Sequence, residues 1–221
     1  MMNKSKDLSM LAGKIVLILS GILFIFPSHA STNDYDLAEL LIKKYLDAPK
    51  TITANFVQYI TDDKNNIVDE MQGKILIQRP NNFRWHYTSP YEQIFIGDGI
   101  NFISYDIDLN HLIRKKQSEM KLMAPFILLQ DDQHIFNNIE YIDIYNEENH
   151  FWVKLRYFNA NNDLFEFKLG FDNEVLSKMV LNDSLGQIMT INFESIALNK
   201  EINSNVYDID LFIQKINMTN H

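Results

Sequence analysis

The strongest structural signal in this chain is the segment Arg79-Pro80-Asn81-Asn82-Phe83-Arg84-Trp85-His86-Tyr87. The Arg-Pro pair predicts a turn, and the residues after it alternate in the manner of a strand. Because strand side chains alternate between two faces, Phe83, Trp85 and Tyr87 should point the same way. We therefore expect a large apolar face beside a fixed corner, a surface suited to an apolar ligand.

Strand patterns continue on both sides of this segment, separated by turn residues. Asp98-Gly99 is the strongest hairpin signal. For residues 110–117 the pattern allows either another strand or a loop. The other predicted strands are 53–61, 72–78, 83–88, 93–97, 100–106, 141–145, 151–158, 164–171, 175–182 and 187–198, with a possible final strand at 206–213. Short turns between consecutive strands predict an antiparallel meander of about ten or eleven strands.

Two segments depart from strand alternation. Residues 34–48 have the spacing of an amphipathic helix, which Asp34 or Asp36 could cap and Pro49 would end. Residues 122–129 are all apolar, and Pro125 suits the first turn of a short helix. A sheet of this size must curl, and its concave face needs a cover. The predicted fold is mainly β, with these two helical segments as the available cover.

The first thirty residues have the layout of a signal peptide. Lys4, Lys6 and Lys14 precede an apolar run at 15–26, and 28–30 offer small residues for cleavage after Ala30. An uncleaved anchor is the alternative, although a run of this length is short for a bilayer. Residues 31–221 contain no repeat or linker and are expected to form one domain. Removal of 1–30 lowers the net charge from −9 to −11, which disfavours nucleic-acid binding.

The side chains needed for catalysis are scattered or absent. With no cysteine in the chain, disulfides, zinc-thiolate sites and cysteine nucleophiles are excluded. No hydrolase elbow, zinc-protease motif or phosphate-binding loop occurs. His86 is better explained as an exposed strand residue than as a catalytic one. The basic cluster at 114–116 is explained as a solvated edge whose charges protect a strand from pairing with other chains. Docking of a partner is the alternative.

A family resemblance covers roughly residues 34–198. The matching segments are 54–58, 73–80, 83–87, 97–99 and 123–129. The exported, cysteine-free chain resembles in these segments the LolA family, periplasmic carriers of outer-membrane lipoproteins. The pattern Arg-Pro-x-x-Phe-x-Trp is the most specific part of the match. The C-terminus departs from the family, because 206–210 stand in place of its Phe-rich strand and no proline follows Pro125.

The resemblance implies a fold and a function. The fold would be an incomplete antiparallel β-barrel of about 11 strands, with an α-helical lid over a hydrophobic cavity. The cargo would be acylated outer-membrane lipoproteins, taken from the inner-membrane Lol ABC transporter and delivered to the outer-membrane receptor LolB. The protein would act in the periplasm as a monomer, without cofactor or metal, and would not be an enzyme.

The resemblance also assigns residue roles. Arg79 would hold the lid closed when the cavity is empty. The acyl-chain cavity would be lined by Phe83, Trp85, Tyr87, Met123, Phe126 and Leu128. Taken without the resemblance, Arg79 could equally be a surface arginine in a turn. Ordinary core packing would explain the aromatic residues and the apolar run at 122–129.

Two further functions remain open from the sequence. The first is another lipid-binding periplasmic protein of this architecture, such as LolB itself or an envelope-stress sensor domain. LolB is disfavoured because it needs a lipidated cysteine. The second is an exported hydrolase that uses scattered Asp, Glu and His residues on a β scaffold, which carboxylates clustered in one pocket would favour.

Overall fold

A single antiparallel sheet dominates the computed structural model, which describes residues 31–119, 139–158, 164–182 and 187–219. Its strands are β1 Thr51–Thr61, β2 Ile67–Gln78, β3 Asn82–Ser89, β4 Gln93–Asp98, β5 Asn101–Asp106, β6 His111–Lys116, β7 Ile139–Glu147, β8 His150–Phe158, β9 Leu164–Asp172, β10 Val175–Asn182 and β11 Ile188–Leu198. The prediction of an open antiparallel sheet of about 11 strands is confirmed, and residues 111–116 form a strand rather than a loop.

The sheet consists of two meanders joined by one long-range pair. The spatial order is β6-β5-β4-β3-β2-β1-β11-β10-β9-β8-β7, so β1 pairs with β11 and the sheet does not close on itself. The edge strands are β6 and β7. The basic cluster Arg114, Lys115 and Lys116 lies on the β6 edge, where charged side chains disfavour pairing with other chains.

The predicted Asp98-Gly99 hairpin is also confirmed. Gly99 has φ of +91°, a left-handed conformation that glycine adopts without strain. An Asp98 carboxylate oxygen accepts hydrogen bonds from the backbone N–H groups of Ile100 and Asn101, at 2.8 and 2.6 Å. The turn is therefore held by its own side chain, as turn-forming aspartates commonly are.

Helix α1, Thr32–Ile42, precedes the sheet and continues into a π-helical turn at Lys43–Asp47. It begins two residues earlier than predicted, and its N-cap is Ser31 rather than Asp34 or Asp36. The Ser31 hydroxyl accepts from the Asp34 N–H while the Asp34 carboxylate accepts from the Ser31 N–H, a reciprocal capping box. An aspartate inside the first turn thus completes the cap instead of starting the helix.

The helix covers one face of the sheet, called here the inner face. Its buried residues are Ala38, Leu41, Ile42, Tyr45 and Leu46. They pack with inward side chains of β1, β2, β3 and β7 to β11 in one hydrophobic cluster. The alternation predicted for the third strand is confirmed, because Phe83, Trp85 and Tyr87 are all buried in this cluster.

The C-terminal segment differs from the prediction. The expected strand at 206–213 is wrong, because Ser204–Val206 form a 3₁₀ turn and helix α2 spans Ile209–Thr219. Asp208 supplies the cap, with its carboxylate accepting from the Leu211 N–H at 2.8 Å. Helical spacing places Ile209, Phe212 and Ile213 on one side of α2. They pack on Ile94, Ile96 and Ile103 of the opposite, outer face of the sheet.

Candidate ligand-binding face

A continuous strip of aromatic rings crosses the inner face on β1, β3, β4 and β5. Phe56 lies 4.8 Å from Trp85 and 5.3 Å from Tyr87, measured between ring centroids. Tyr87 meets Phe95 edge-on at 6.1 Å. Phe95 then stacks on Phe102 at 6.0 Å. Rings at these separations attract one another beyond simple burial, so the strip is a preorganised apolar surface.

A glycine makes this strip possible. Gly73 lies on β2 between Phe56 and Tyr87, which belong to the flanking strands β1 and β3. A Cβ atom at Gly73 would lie 2.2 Å from the His86 carbonyl oxygen and 2.6 Å from the Phe56 ring. The absent side chain is therefore what lets the two rings meet across the middle strand.

The predicted cavity residues fall into two groups. Phe83, Trp85 and Tyr87 lie together on the inner face, with Trp85 fully buried. Phe83 also contacts Phe102 at 6.3 Å and so belongs to the same strip. Their contact with a ligand stays a prediction. Met123, Phe126, Leu128 and the helix predicted at 122–129 lie outside the described residues.

Arg79 lies in the turn between β2 and β3 and is half-buried. Its backbone N–H donates to the Lys50 carbonyl at 2.8 Å, which ties this turn to the connection between α1 and β1. The residue thus lies beside the segment that leads from α1 into β1. Its role as a latch stays a prediction.

Helix α1 is fastened to the far half of the sheet through one carbonyl group. The Tyr45 hydroxyl and the Lys44 ammonium both donate to the Glu174 carbonyl, at 3.3 and 3.1 Å. The Tyr45 ring also packs against Phe171 at 5.9 Å. These contacts hold the end of the helix against the turn between β9 and β10.

Under the end of α1, the space between the helix and the sheet is almost filled. A cavity of about 20 Å³ remains, which is room for about one water molecule. It is lined by Tyr45, Ile52, Ala54, Ile75, Ile77, Leu176, Phe193 and Ile196. Pockets that bind small molecules typically measure about 300–1,000 Å³. The space under the end of α1 is therefore packed, and a long apolar ligand requires part of this packing to open. A groove of about 520 Å³ lies beside the helix, lined by Leu37, Leu41, Phe151 and Phe171 together with polar residues of α1 and of the turns after β7 and β9.

One polar contact lies within the apolar inner face. The Tyr87 hydroxyl donates to the Gln58 side-chain oxygen at 3.0 Å. Burial raises the pKa of Tyr87 to about 12, against the opposing effect of hydrogen bonds with Trp85 and Gln58. The phenol is therefore protonated at neutral pH. The sequence places Gln58 in the segment 54–58 that resembles the family and assigns it no further role, although it is a polar residue in the inward register of Ile52, Ala54 and Phe56.

The outer face carries polar residues of β3, among them Arg84 and His86. The Nε2 atom of His86 lies 2.8 Å from a carboxylate oxygen of Glu92, within hydrogen-bond distance. His86 is therefore half-buried and paired, and the expectation of an exposed strand residue is wrong. Burial lowers the pKa of Arg84, which lies over the Phe212 ring at 5.2 Å and donates to the Val206 carbonyl. The two contacts of Arg84 serve the attachment of α2.

Other kinds of site were sought among the residues that the structure describes. Within residues 31–119, 139–158, 164–182 and 187–219, no three His, Asp or Glu side chains are grouped as a metal site would require. In the same ranges, no helix has the length and apolar character needed to cross a membrane.

The chain matches a known protein family and several of its members. Residues 47–210 match the family described as "Outer membrane lipoprotein carrier protein LolA". The outer-membrane lipoprotein carrier protein of Methylobacillus flagellatus is 31% identical over 161 residues, which cover 73% of this chain and 78% of that relative. The carrier of the same name from Methylococcus capsulatus is 28% identical over 185 residues, or 84% of this chain and 87% of the relative.

A solved structure shares the fold. The crystal structure of a LolA superfamily protein from Nitrosomonas europaea has a TM-score of 0.53 at 11% sequence identity. The match covers 78% of this chain and 98% of that one. At this identity the likeness concerns the fold alone.

Proposed function

This chain belongs to the LolA family of outer-membrane lipoprotein carriers, and we propose that its helix-covered inner face encloses the acyl chains of a lipoprotein. The observation that carries the proposal is the aromatic strip from Phe56 to Phe102, which lies on the inner face of an open sheet, in and against the hydrophobic cluster that α1 joins. This face offers apolar contact over four strands of a sheet that does not close on itself.

The energetics of the cargo explain why such a face is needed. Each methylene group removed from water gains about 0.8 kcal/mol, so several acyl chains cannot cross an aqueous compartment unaided. A carrier must also release what it binds. A closed, packed empty state meets both needs, because the packing regained on release offsets part of the binding energy. The cavity of about 20 Å³ under α1 is consistent with that empty state.

Arg79 is proposed as the latch of the closed state. Its planar guanidinium can donate to several backbone carbonyls at once, which suits the end of a covering helix. Each such charge-assisted bond contributes about 1.5–3 kcal/mol. With the segment at 122–129 as the second cover, cargo would displace that segment and break these bonds. Phe83, Trp85, Tyr87, Met123, Phe126 and Leu128 are proposed to contact the acyl chains.

The cellular part of the proposal follows the family. Residues 1–30 would be a cleaved signal peptide, and 31–221 would form one periplasmic domain. The protein would accept lipoproteins from the inner-membrane Lol ABC transporter and pass them to LolB. It would work as a monomer and without a cofactor, by binding and release rather than by catalysis.

A release assay tests the proposal. The purified protein is incubated with spheroplasts that carry labelled lipoproteins, and the supernatant is separated by size exclusion and analysed by mass spectrometry. We expect a soluble complex that contains acylated lipoprotein. If an established carrier releases lipoproteins in parallel and this protein releases none, the proposed function is wrong.

A further inference from the structure

Gln58 is the one buried polar residue among the residues that the structure describes, at 2% exposure. It follows Ile52, Ala54 and Phe56 on the inward side of β1. Its partners in register on the neighbouring strands are Met71 and Ile191, both apolar. An apolar side chain would suit this position better, because burying a carboxamide among apolar groups costs free energy unless its hydrogen bonds are satisfied.

The hydrogen bonds of Gln58 are only partly satisfied. Its oxygen accepts the Tyr87 hydroxyl at 3.0 Å. Its amide nitrogen carries two further donors, for which the described residues show no hydrogen bond, and this nitrogen is not one of their enclosed, unpartnered polar atoms. The Tyr87 ring is itself fixed by Phe56 and Phe95. The carboxamide is therefore held by its oxygen, with its donors left for another group.

The position of Gln58 along the face indicates what that group is. The cavity beneath α1 is lined at Ile52 and Ala54, near the start of β1. Gln58 lies six residues beyond Ile52, roughly 20 Å along an extended strand. Acyl chains that lie along β1 with their ends beneath α1 would place the polar end of the lipid toward Gln58. The polar groups at that end are carbonyl oxygens, which accept hydrogen bonds.

Resting on the carrier function proposed above, we propose that Gln58 donates a hydrogen bond to an acyl ester carbonyl of the bound lipid, with Tyr87 as the positioning residue. This contact would make the inner face selective for acylated glycerol over plain hydrocarbon. It would also fix how deep the lipid enters. A site that hydrogen-bonds its ligand discriminates against an analogue that lacks the acceptor, because the buried donors are then left unpaired.

Two synthetic lipopeptides test this selectivity. The first carries S-[2,3-bis(palmitoyloxy)propyl]-cysteine, and the second is the same peptide with hexadecyl ether chains in place of the esters. The ether probe keeps the hydrocarbon and loses the carbonyl acceptors. Dissociation constants are measured for the protein purified after expression of the full chain. We expect the ester probe to bind about two- to tenfold more tightly, the range of one net hydrogen bond.

Variants test whether the preference for the ester probe depends on Gln58 and Tyr87. Gln58→Met keeps the length of the side chain and should bind both probes equally. Tyr87→Phe should reduce the preference, because the carboxamide loses its fixed orientation. Tyr105→Phe is the matched control: it removes a buried hydroxyl that donates to Asn110 at 2.9 Å on the outer side of the sheet. It should leave the preference unchanged.

The outcomes separate this inference from the function on which it rests. Equal binding of both probes by the unaltered protein, or a preference that persists in Gln58→Met, overturns the role of Gln58 and leaves the carrier function standing. Failure of the unaltered protein to bind either probe overturns the carrier function itself.

Discussion

Removal of the Tyr45 hydroxyl should loosen α1 from the sheet while leaving the sheet intact. In the Tyr45→Phe variant the ring can still pack against Phe171, and Lys44 still donates to the Glu174 carbonyl. The only loss is the hydrogen bond from the hydroxyl to that carbonyl. At 3.3 Å it is a long bond, so its net contribution is about 0.5–1 kcal/mol, in the lower part of the usual range.

Hydrogen exchange of backbone amides measures this change. A loss of that size increases the open population of α1 about two- to fivefold. We expect exchange at Thr32–Ile42 to accelerate by the same factor, with no change in the central strands β1 and β11. Uptake of a fluorescent fatty acid should accelerate in parallel if opening of α1 limits entry.

The control for this variant is Tyr35→Phe, which makes the same chemical change on α1 at a side chain that is 47% exposed. It should exchange as the unaltered protein does. Acceleration spread equally over α1 and the central strands would show that the helix opens only with global unfolding. That result would refute the separate movement of α1, and unchanged exchange would refute the fastening role of Tyr45.

Four further predictions concern the latch, the proposed cover, the outer face and pH. Arg79→Leu should leave folding and lipid uptake intact and impair handover to LolB, measured as lipoprotein transferred; unchanged transfer would exclude the latch. Phe126→Glu should weaken acyl-probe binding with an unchanged circular dichroism spectrum, because a charge would enter an apolar wall; normal binding would remove the segment from that wall. Phe212→Ala should lower the free energy of unfolding in urea by about 1–3 kcal/mol, less than for a fully buried ring, while Met218→Ala on the exposed side of the same helix stays near zero. The pKa of Tyr87 is raised to about 12, so the folded state retains a proton that the unfolded state loses near pH 10. The free energy of unfolding should therefore fall as pH rises from about 10 to 12, and it should fall less steeply in Tyr87→Phe.

Local patterns predicted the sheet well because each strand carries its own signal. Alternation placed Phe83, Trp85 and Tyr87 on one face, and that placement required no knowledge of neighbouring strands. The same holds for the Asp98-Gly99 turn, whose conformation depends on two adjacent residues. Features encoded within a few consecutive residues are therefore those that the sequence discloses.

The C-terminal helix shows where local patterns become ambiguous. Residues 206–213 alternate well enough for a strand, but Ile209, Phe212 and Ile213 also fit one side of a helix. The decision depends on the outer face of β4 and β5, where Ile94, Ile96 and Ile103 present a surface that a helix covers. Tertiary packing selects the helix over the strand, and that packing depends on strands that are distant in the sequence.

The Gln58–Tyr87 contact could not be predicted for a related reason. The two residues lie 29 positions apart, on strands separated by β2. Their contact requires the register of two strand pairs and the space left by Gly73. A polar residue in an inward register was visible in the sequence. Its partner and its burial were not.

The two helices pack on opposite faces of the sheet and are attached to different strands. This arrangement bears on how a carrier can open. The apolar contacts of α2 on β4 and β5 are joined by an ion pair between Arg114 of β6 and Asp210, at 3.0 Å. Arg84 of β3 donates to the Val206 carbonyl just before the helix. Helix α1 is fastened on the opposite face, through Glu174 near β9 and β10. The attachments share no residue, so movement of α1 need not disturb the outer cluster. A sheet supported from outside by one helix can keep its curvature while the other moves, and cargo would then enter a face whose shape is already set.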